Sequence, residues 1–194
     1  DKPFNLAGDT SYRVVPSTAT DDELMVSHGG YDNTDVNRDI NCMFPIDRLR
    51  ELAEKGFIKN IAPNMYTCMG GGGDVKVFTE ETGPEIAQKL LDEHVDAVVM
   101  TAGWGTCHRT AVIVQRAIES VGIPTIIIAA LPPVVRQQGS PRAVAPRVPM
   151  GANAGEPHNV EMQTGILKDT LEQLEKLDSP GKIVPLPYEY IANI

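Results

Sequence analysis

Two apolar runs, Val95-Asp-Ala-Val-Val-Met100 and Thr125-Ile-Ile-Ile-Ala129, flank a stretch in which Val112, Ile113, Ala117 and Ile118 share one helical face. Short runs rich in Val and Ile read as buried strands, and apolar residues three and four apart read as an amphipathic helix. Parallel strands need a crossover of a dozen or more residues, usually a helix, so residues 95–129 predict a βαβ unit. Gly122 and Pro124 punctuate helix from strand. The same grammar recurs along the chain. Pro45 opens a helix with Ile46, Leu49, Leu52 and Ala53 in phase, and Gly56 stops it. A second helix from about Pro84 to His94 is predicted to bury Ile86, Leu90 and Leu91. Asn159 caps a last helix carrying Leu167, Leu171 and Leu174. Leu24–Val26 and Phe57–Ala62 read as short strands. Lys182–Tyr188 reads as an edge strand or packed tail, because Pro185 and Pro187 exclude a central one. The predicted fold is α/β, a mostly parallel sheet flanked by helices, flavodoxin- or Rossmann-like. Residues 1–22 form an arm or loop before a single domain, 23–194, and a segment preceding Asp1 is expected because the chain does not start with Met. Residues 131–158 carry six prolines and are expected to form one long Pro/Arg-rich loop.

The 194-residue chain is 42% hydrophobic and 22% charged, with a net charge of −9. That acidity argues against nucleic acid and anionic membranes as partners, and no apolar run approaches the ~18–20 residues of a membrane span. Three cysteines at irregular spacing make no disulfide framework, and a reducing cytoplasm is the expected home. His28, His94, His108 and His158 show no ligand spacing with the cysteines, so no metal is expected. The acidic stretch from Asp35 has Ile40 and Ile46 where a calcium loop needs Gly and Glu. The glycines at 70–73 lack the Lys-Ser/Thr of a phosphate loop, and read instead as a turn that lets two backbones approach closely.

Chemistry concentrates in Thr101-Ala-Gly-Trp-Gly-Thr-Cys-His-Arg-Thr110, which leaves the first strand of the βαβ unit and opens its helix. Ligands of open α/β sheets bind at such strand ends. A helix N-terminus presents free N–H groups and partial positive charge, which favours a thiolate. His108 and Arg109 add positive charge. Trp104, the sole tryptophan, and Cys107 form a W-x-x-C where a redox chain would carry C-x-x-C. The pattern is open to two readings: a loop aromatic beside a helix-start cysteine, or selenocysteine at 104, whose UGA codon is one base from the UGG of Trp. In the second, positions 104 and 107 close a selenenylsulfide that a dithiol reopens. His28 and His158, in polar turns, are candidates for proton transfer.

Several segments together carry a resemblance. They are Met25-Val-Ser-His-Gly-Gly-Tyr-Asp-Asn33, Asp39-Ile-Asn-Cys-Met-Phe-Pro-Ile-Asp-Arg48, Met69-Gly-Gly-Gly-Gly-Asp74, Thr101–Arg109, Leu131-Pro-Pro-Val-Val-Arg136 and Gly151-Ala-Asn-Ala-Gly-Glu-Pro157. On these the chain resembles the selenoprotein subunit of the glycine/sarcosine/betaine/D-proline reductases of amino-acid-fermenting anaerobes. Thr110, where glycine-type relatives carry a further cysteine, favours the D-proline branch. The resemblance implies selenocysteine at position 104 and reductive ring opening of D-proline to 5-aminovalerate. It implies no cofactor bound by this chain itself, but a partner subunit bearing a pyruvoyl group and a dithiol or electron-donor protein. Trp104 departs from the family pattern, and indole cannot do this chemistry.

A substrate carboxylate beside a selenolate calls for guanidinium groups. Arg136, Arg142 and Arg147 follow a strand end and are candidates to hold it, with His28, His108 and His158 as proton carriers and Glu156 lining the site.

Overall fold

The computed structural model describes residues 2–192. Its centre is a parallel sheet of four strands in the order β3 (Val98–Thr101), β4 (Thr125–Ile128), β5 (Arg142–Arg147) and β6 (Lys182–Glu189). β4 is buried along its whole length, as an uninterrupted Ile run between two covered faces requires. Successive side chains of β4 alternate between two cores. Ile127 packs with Val112, Val135 and Ala143, below helices α5 (Gly105–Ser120) and α6 (Pro132–Gln137). Ile126 and Ile128 pack with Val144, Ile166 and Leu186, below helix α7 (Val160–Lys176). The α/β sheet flanked by helices is therefore as expected. The cap is too, since the Asn159 side chain accepts from the Met162 N–H. No helix among the described residues is long and apolar enough to cross a membrane.

Six further elements surround this unit. Helix α1 (Thr34–Arg38) is short, and α2 (Ile46–Glu54) buries Ile46 and Leu52 against the region of α7. A three-residue turn, α3 (Val75–Val77), runs through a π turn into α4 (Gly83–Asp92). α4 packs on α5 through Ile86, Leu90, Val114 and Ile118, while Leu91, expected to be buried with them, is 41% exposed on the other side of the helix stripe. Strands β1 (Tyr12–Pro16) and β2 (Asn64–Cys68) form a separate antiparallel ribbon, with Tyr12 opposite Cys68.

Four expectations are corrected. The region read as an arm contains β1. Leu24–Val26 makes no strand, and Met25 is 66% exposed with no sheet to join. The strand foreseen at Phe57–Ala62 lies at Asn64–Cys68, beyond Pro63. The long Pro/Arg-rich loop does not exist as such: residues 132–137 are helix α6 and 142–147 are strand β5. Prolines concealed both elements without preventing them. Pro132 sits at the helix start, where a missing N–H costs nothing. Pro146 falls at a register irregularity beyond the stretch paired with β4. β6 holds its two prolines as the edge strand of the sheet.

Candidate active site

β3 ends at Thr101, and α5 begins four residues later with Trp104 as its N-cap. The backbone at Trp104 is extended and no side chain caps the helix. The first-turn N–H groups therefore lack a side-chain acceptor. Position 104 and Cys107 thus occupy the cap and first turn of one helix at the C-terminal edge of the sheet.

The loop is fixed from three sides. His108 is fully buried. Its Nδ1 donates to the Trp104 carbonyl at 2.7 Å, and its Nε2 accepts the Leu131 N–H at 3.3 Å. The ring is a neutral bridge between the loops after β3 and β4, and burial holds its pKa below the usual value. This corrects the expectation that His108 carries charge or protons for the site: both nitrogens are committed, and protonation would break the bond to Leu131. Asn153, also fully buried, donates from Nδ2 to the carbonyls of Ala102 and Ile128, just past β3 and at the end of β4. Beneath the loop, a Cβ on Gly70 would collide with the Cys107 backbone. Only glycine permits that approach, the close backbone contact expected of the glycine run.

His28 reaches the site from the N-terminal half of the chain. Its Nε2 lies 3.1 Å from Cys107 Sγ. Its Nδ1 accepts the Gly30 N–H at 2.9 Å. An acceptor at Nδ1 places the proton of a neutral imidazole on Nε2, so His28 donates toward the sulfur. Burial lowers its pKa, in keeping with a neutral ring. The ring also packs edge-on to Trp104 at 5.8 Å and beside Tyr31 at 4.9 Å. Tyr31 fills the space left by Gly103 and Gly151; a Cβ on either would come within 2.5 Å of its ring. Burial pushes its phenol up to about 12, so it stays neutral. Burial also pushes the Cys107 thiol up, against the pull of the Trp104 and Gly70 backbones. The expected thiolate-favouring effect of the helix N-terminus is therefore outweighed by burial in the isolated chain.

The other sequence candidates do not gather here. His158 is exposed in the turn before α7, with its backbone N–H donating to Asp39 Oδ2 at 2.7 Å. Glu156 is exposed and accepts from Asn159. Arg142 stands at the N-terminal end of β5, the edge of the sheet opposite position 104. There it pairs with Glu119 at 2.6 Å and donates to the Leu177 carbonyl. Arg147 pairs with Glu189 on the surface, and Arg136 is exposed on α6. The carboxylate role assigned to Arg142 is corrected on this ground, since a guanidinium spent on Glu119 cannot hold a ligand across the sheet. Tyr31 and Asn153 were not singled out from the sequence. The small residues around each, Gly29-Gly30 and Gly151-Ala152, were the available signal.

A family model described as glycine/sarcosine/betaine reductase selenoprotein B matches residues 10–103, which include His28, Gly30, Tyr31 and Gly70. The chain is 70% identical, over its whole length, to the D-proline reductase subunit gamma of Acetoanaerobium sticklandii, and covers 80% of that protein. It is 33% identical over 157 residues to the glycine reductase complex component B subunit gamma of Symbiobacterium thermophilum. It is 32% identical over 142 residues to the sarcosine reductase complex component B subunit beta of Peptoclostridium acidaminophilum. The chain spans about a third of the length of these last two, 36% and 32%. No solved structure matches it. With 70% identity over its whole length to one member, the chain belongs to the glycine/sarcosine/betaine reductase selenoprotein B family.

Proposed function

We propose that this chain is the redox subunit of a D-proline reductase, with selenocysteine as the native residue at position 104. The observation that carries the reading is the cap of α5. Position 104 and Cys107 share one helix N-terminus, and a histidine fixed as a donor stands 3.1 Å from the sulfur. The indole of Trp104 then stands in for a selenol side chain. It rests against Gly30, Gly71 and His28, a space that a single CH₂–Se group fits without strain.

In this reading, a pyruvoyl group on a partner subunit would supply a carbonyl that activates the proline nitrogen as a leaving group. The selenolate at 104 attacks the α-carbon; the ring C–N bond breaks and its electron pair stays on nitrogen. The Cys107 thiolate attacks selenium and the carbon takes a proton; hydrolysis of the nitrogen from the partner's carbonyl then frees 5-aminovalerate. The Se–S bond that forms is reduced by an external dithiol or electron-donor protein. His28 stays neutral and donates to the Cys107 sulfur, and this bond and the helix N-terminus together work against the burial that raises the Cys107 thiol.

The test is peptide mass spectrometry of residues 101–116 on protein from its native source, followed by turnover of the assembled reductase on D-proline, glycine, sarcosine and betaine. A selenium isotope pattern at position 104 with D-proline turnover supports the reading. Selenium with another preferred substrate moves the chain to a glycine-, sarcosine- or betaine-type reductase. A tryptophan mass there ends it and leaves a binding protein.

A further inference from the structure

We infer that Arg109, with the first turn of α5, forms the subsite for the carboxylate of the amino-acid substrate; this rests on the reductase reading above. A cavity of about 530 Å³ opens beside position 104. It is lined by Trp104, Gly105, Thr106 and Arg109 from α5, and by Val134, Gln137 and Gln138 from the α6 region. No carboxylate lines it, and Arg109 is its sole cation. That composition is selective in a chain of net charge −9.

Three features make the cavity an anion site rather than a surface dent. Arg109, like Arg116 and Arg136, has no acidic partner among the described residues, whereas Arg13, Arg38, Arg48, Arg50, Arg142 and Arg147 each have one. Helical side chains lean toward the N-terminus, so Arg109 lies back over the turn that holds Gly105 and Thr106. Gly105 leaves that space open: a Cβ there would meet nothing closer than Leu131 at 4.0 Å. The helix cap leaves the first-turn N–H groups without a side-chain acceptor. A guanidinium and a helix N-terminus thus face one cavity that also borders position 104.

The geometry suits a ligand whose reacting carbon carries a carboxylate. With that carbon at position 104, the carboxylate reaches toward Arg109. Glycine, sarcosine, betaine and D-proline share this group and differ at nitrogen. An arginine reading the shared group would leave discrimination at nitrogen to the rest of the complex.

The test uses two arms. In the first, the chain with Trp104→Cys is alkylated at position 104 with iodoacetate or iodoacetamide, reagents that differ by a carboxylate, and the peptide is quantified. Arg109→Met is expected to lower the iodoacetate-to-iodoacetamide rate ratio about tenfold, the loss of one charge-assisted contact. Arg109→Lys should keep part of the preference, since a point charge replaces a fork. An unchanged ratio overturns the inference. In the second arm, the assembled reductase carrying Arg109→Met is expected to show a KM for D-proline raised about tenfold with kcat largely kept. A loss confined to kcat overturns it. Absence of D-proline turnover in the unsubstituted complex would strike the reductase reading alone, and the alkylation arm would still decide the subsite.

Discussion

Removing the His28 imidazole should make Cys107 measurably harder to ionise. The contact is short, 3.1 Å from Nε2 to Sγ, and its polarity is set by the Gly30 N–H that occupies Nδ1. Once the sulfur is ionised, this becomes a hydrogen bond to a charged acceptor, worth about 1.5–3 kcal/mol. His28 and Cys107 are only partly buried, so the lower end applies. About 1.4 kcal/mol is tenfold in an equilibrium. His28→Ala should therefore lower the thiolate fraction of Cys107 about tenfold at any pH below its titration. The assay is the pH–rate profile of iodoacetamide alkylation at Cys107, resolved by peptide mapping from Cys42 and Cys68. The plateau at high pH reports access to the sulfur, and the midpoint reports the hydrogen bond. His28→Ala moves the midpoint upward. His28→Gln, whose amide can place an N–H near the former Nε2, restores most of it. A midpoint that stays put in His28→Ala refutes the donor assignment, whatever happens to the plateau.

Other outcomes follow from the same contacts. Gly70→Ala puts a Cβ into the Cys107 backbone, so the urea midpoint should fall by an amount equivalent to about 1–3 kcal/mol, and a wild-type midpoint would mean the loop yields freely. Buried Asp39 accepts from Gln163 Nε2, from the His158 N–H and from Asn41; burial alone would raise its pKa, but these donors leave it lowered. Asp39→Asn turns one acceptor into a donor facing donors, and chemical denaturation should register a loss of about 2–3 kcal/mol. His28 and His108 are both held neutral by burial, with lowered folded pKa values. The unfolded chain binds those protons near the ordinary imidazole value. Stability is thus intact above about pH 6.5 and falls as pH drops through the depressed folded values. A scan of Tm from about pH 8 to pH 5 should show the decline on the acid side, less steep in His108→Gln, and a flat curve would contradict the neutral assignments.

The sequence made the central βαβ unit legible because β4 and α5 satisfy their periodicities without outside help: Ile126, Ile127 and Ile128 are all fully buried. The cap of α7 was equally plain, since Asn159 acts on its own helix. β1 and β2 were not legible. Each is a half-exposed ribbon strand held by its partner, and Asn64-Met-Tyr-Thr-Cys68 has no apolar alternation to announce it. α6 and β5 were hidden by prolines whose positions in the fold make them harmless. At the site, the W-x-x-C loop could be placed on a helix start from local pattern alone. Which histidine approaches it could not. His28 and His158 lie in similar polar turns, and only the tertiary path brings one to Cys107 while tying the other's backbone to Asp39. The arginines divide likewise: Arg142 is 23 residues from Glu119 in sequence and meets it at the far edge of the sheet.

The floor of the site is made of glycine contacts between distant parts of the chain. Gly8 abuts Gly72, Gly70 abuts Cys107, and Gly151 receives Tyr31. Each needs two distant segments to meet and closes a long loop before returning any attraction, and the complete floor needs the segments around residues 8, 30, 70, 107 and 151 together. The crevice is accordingly assembled late, after the β3–α5–β4 unit, and it is the first region to come apart in partial openings. Peeling the N-terminal segment away uncovers the glycine run that supports Cys107, while Ile126–Ile128 and their partners stay closed. In native-state hydrogen exchange, the amides of Gly70 to Gly73 should open with those of β1, well before the strands that end beneath the crevice.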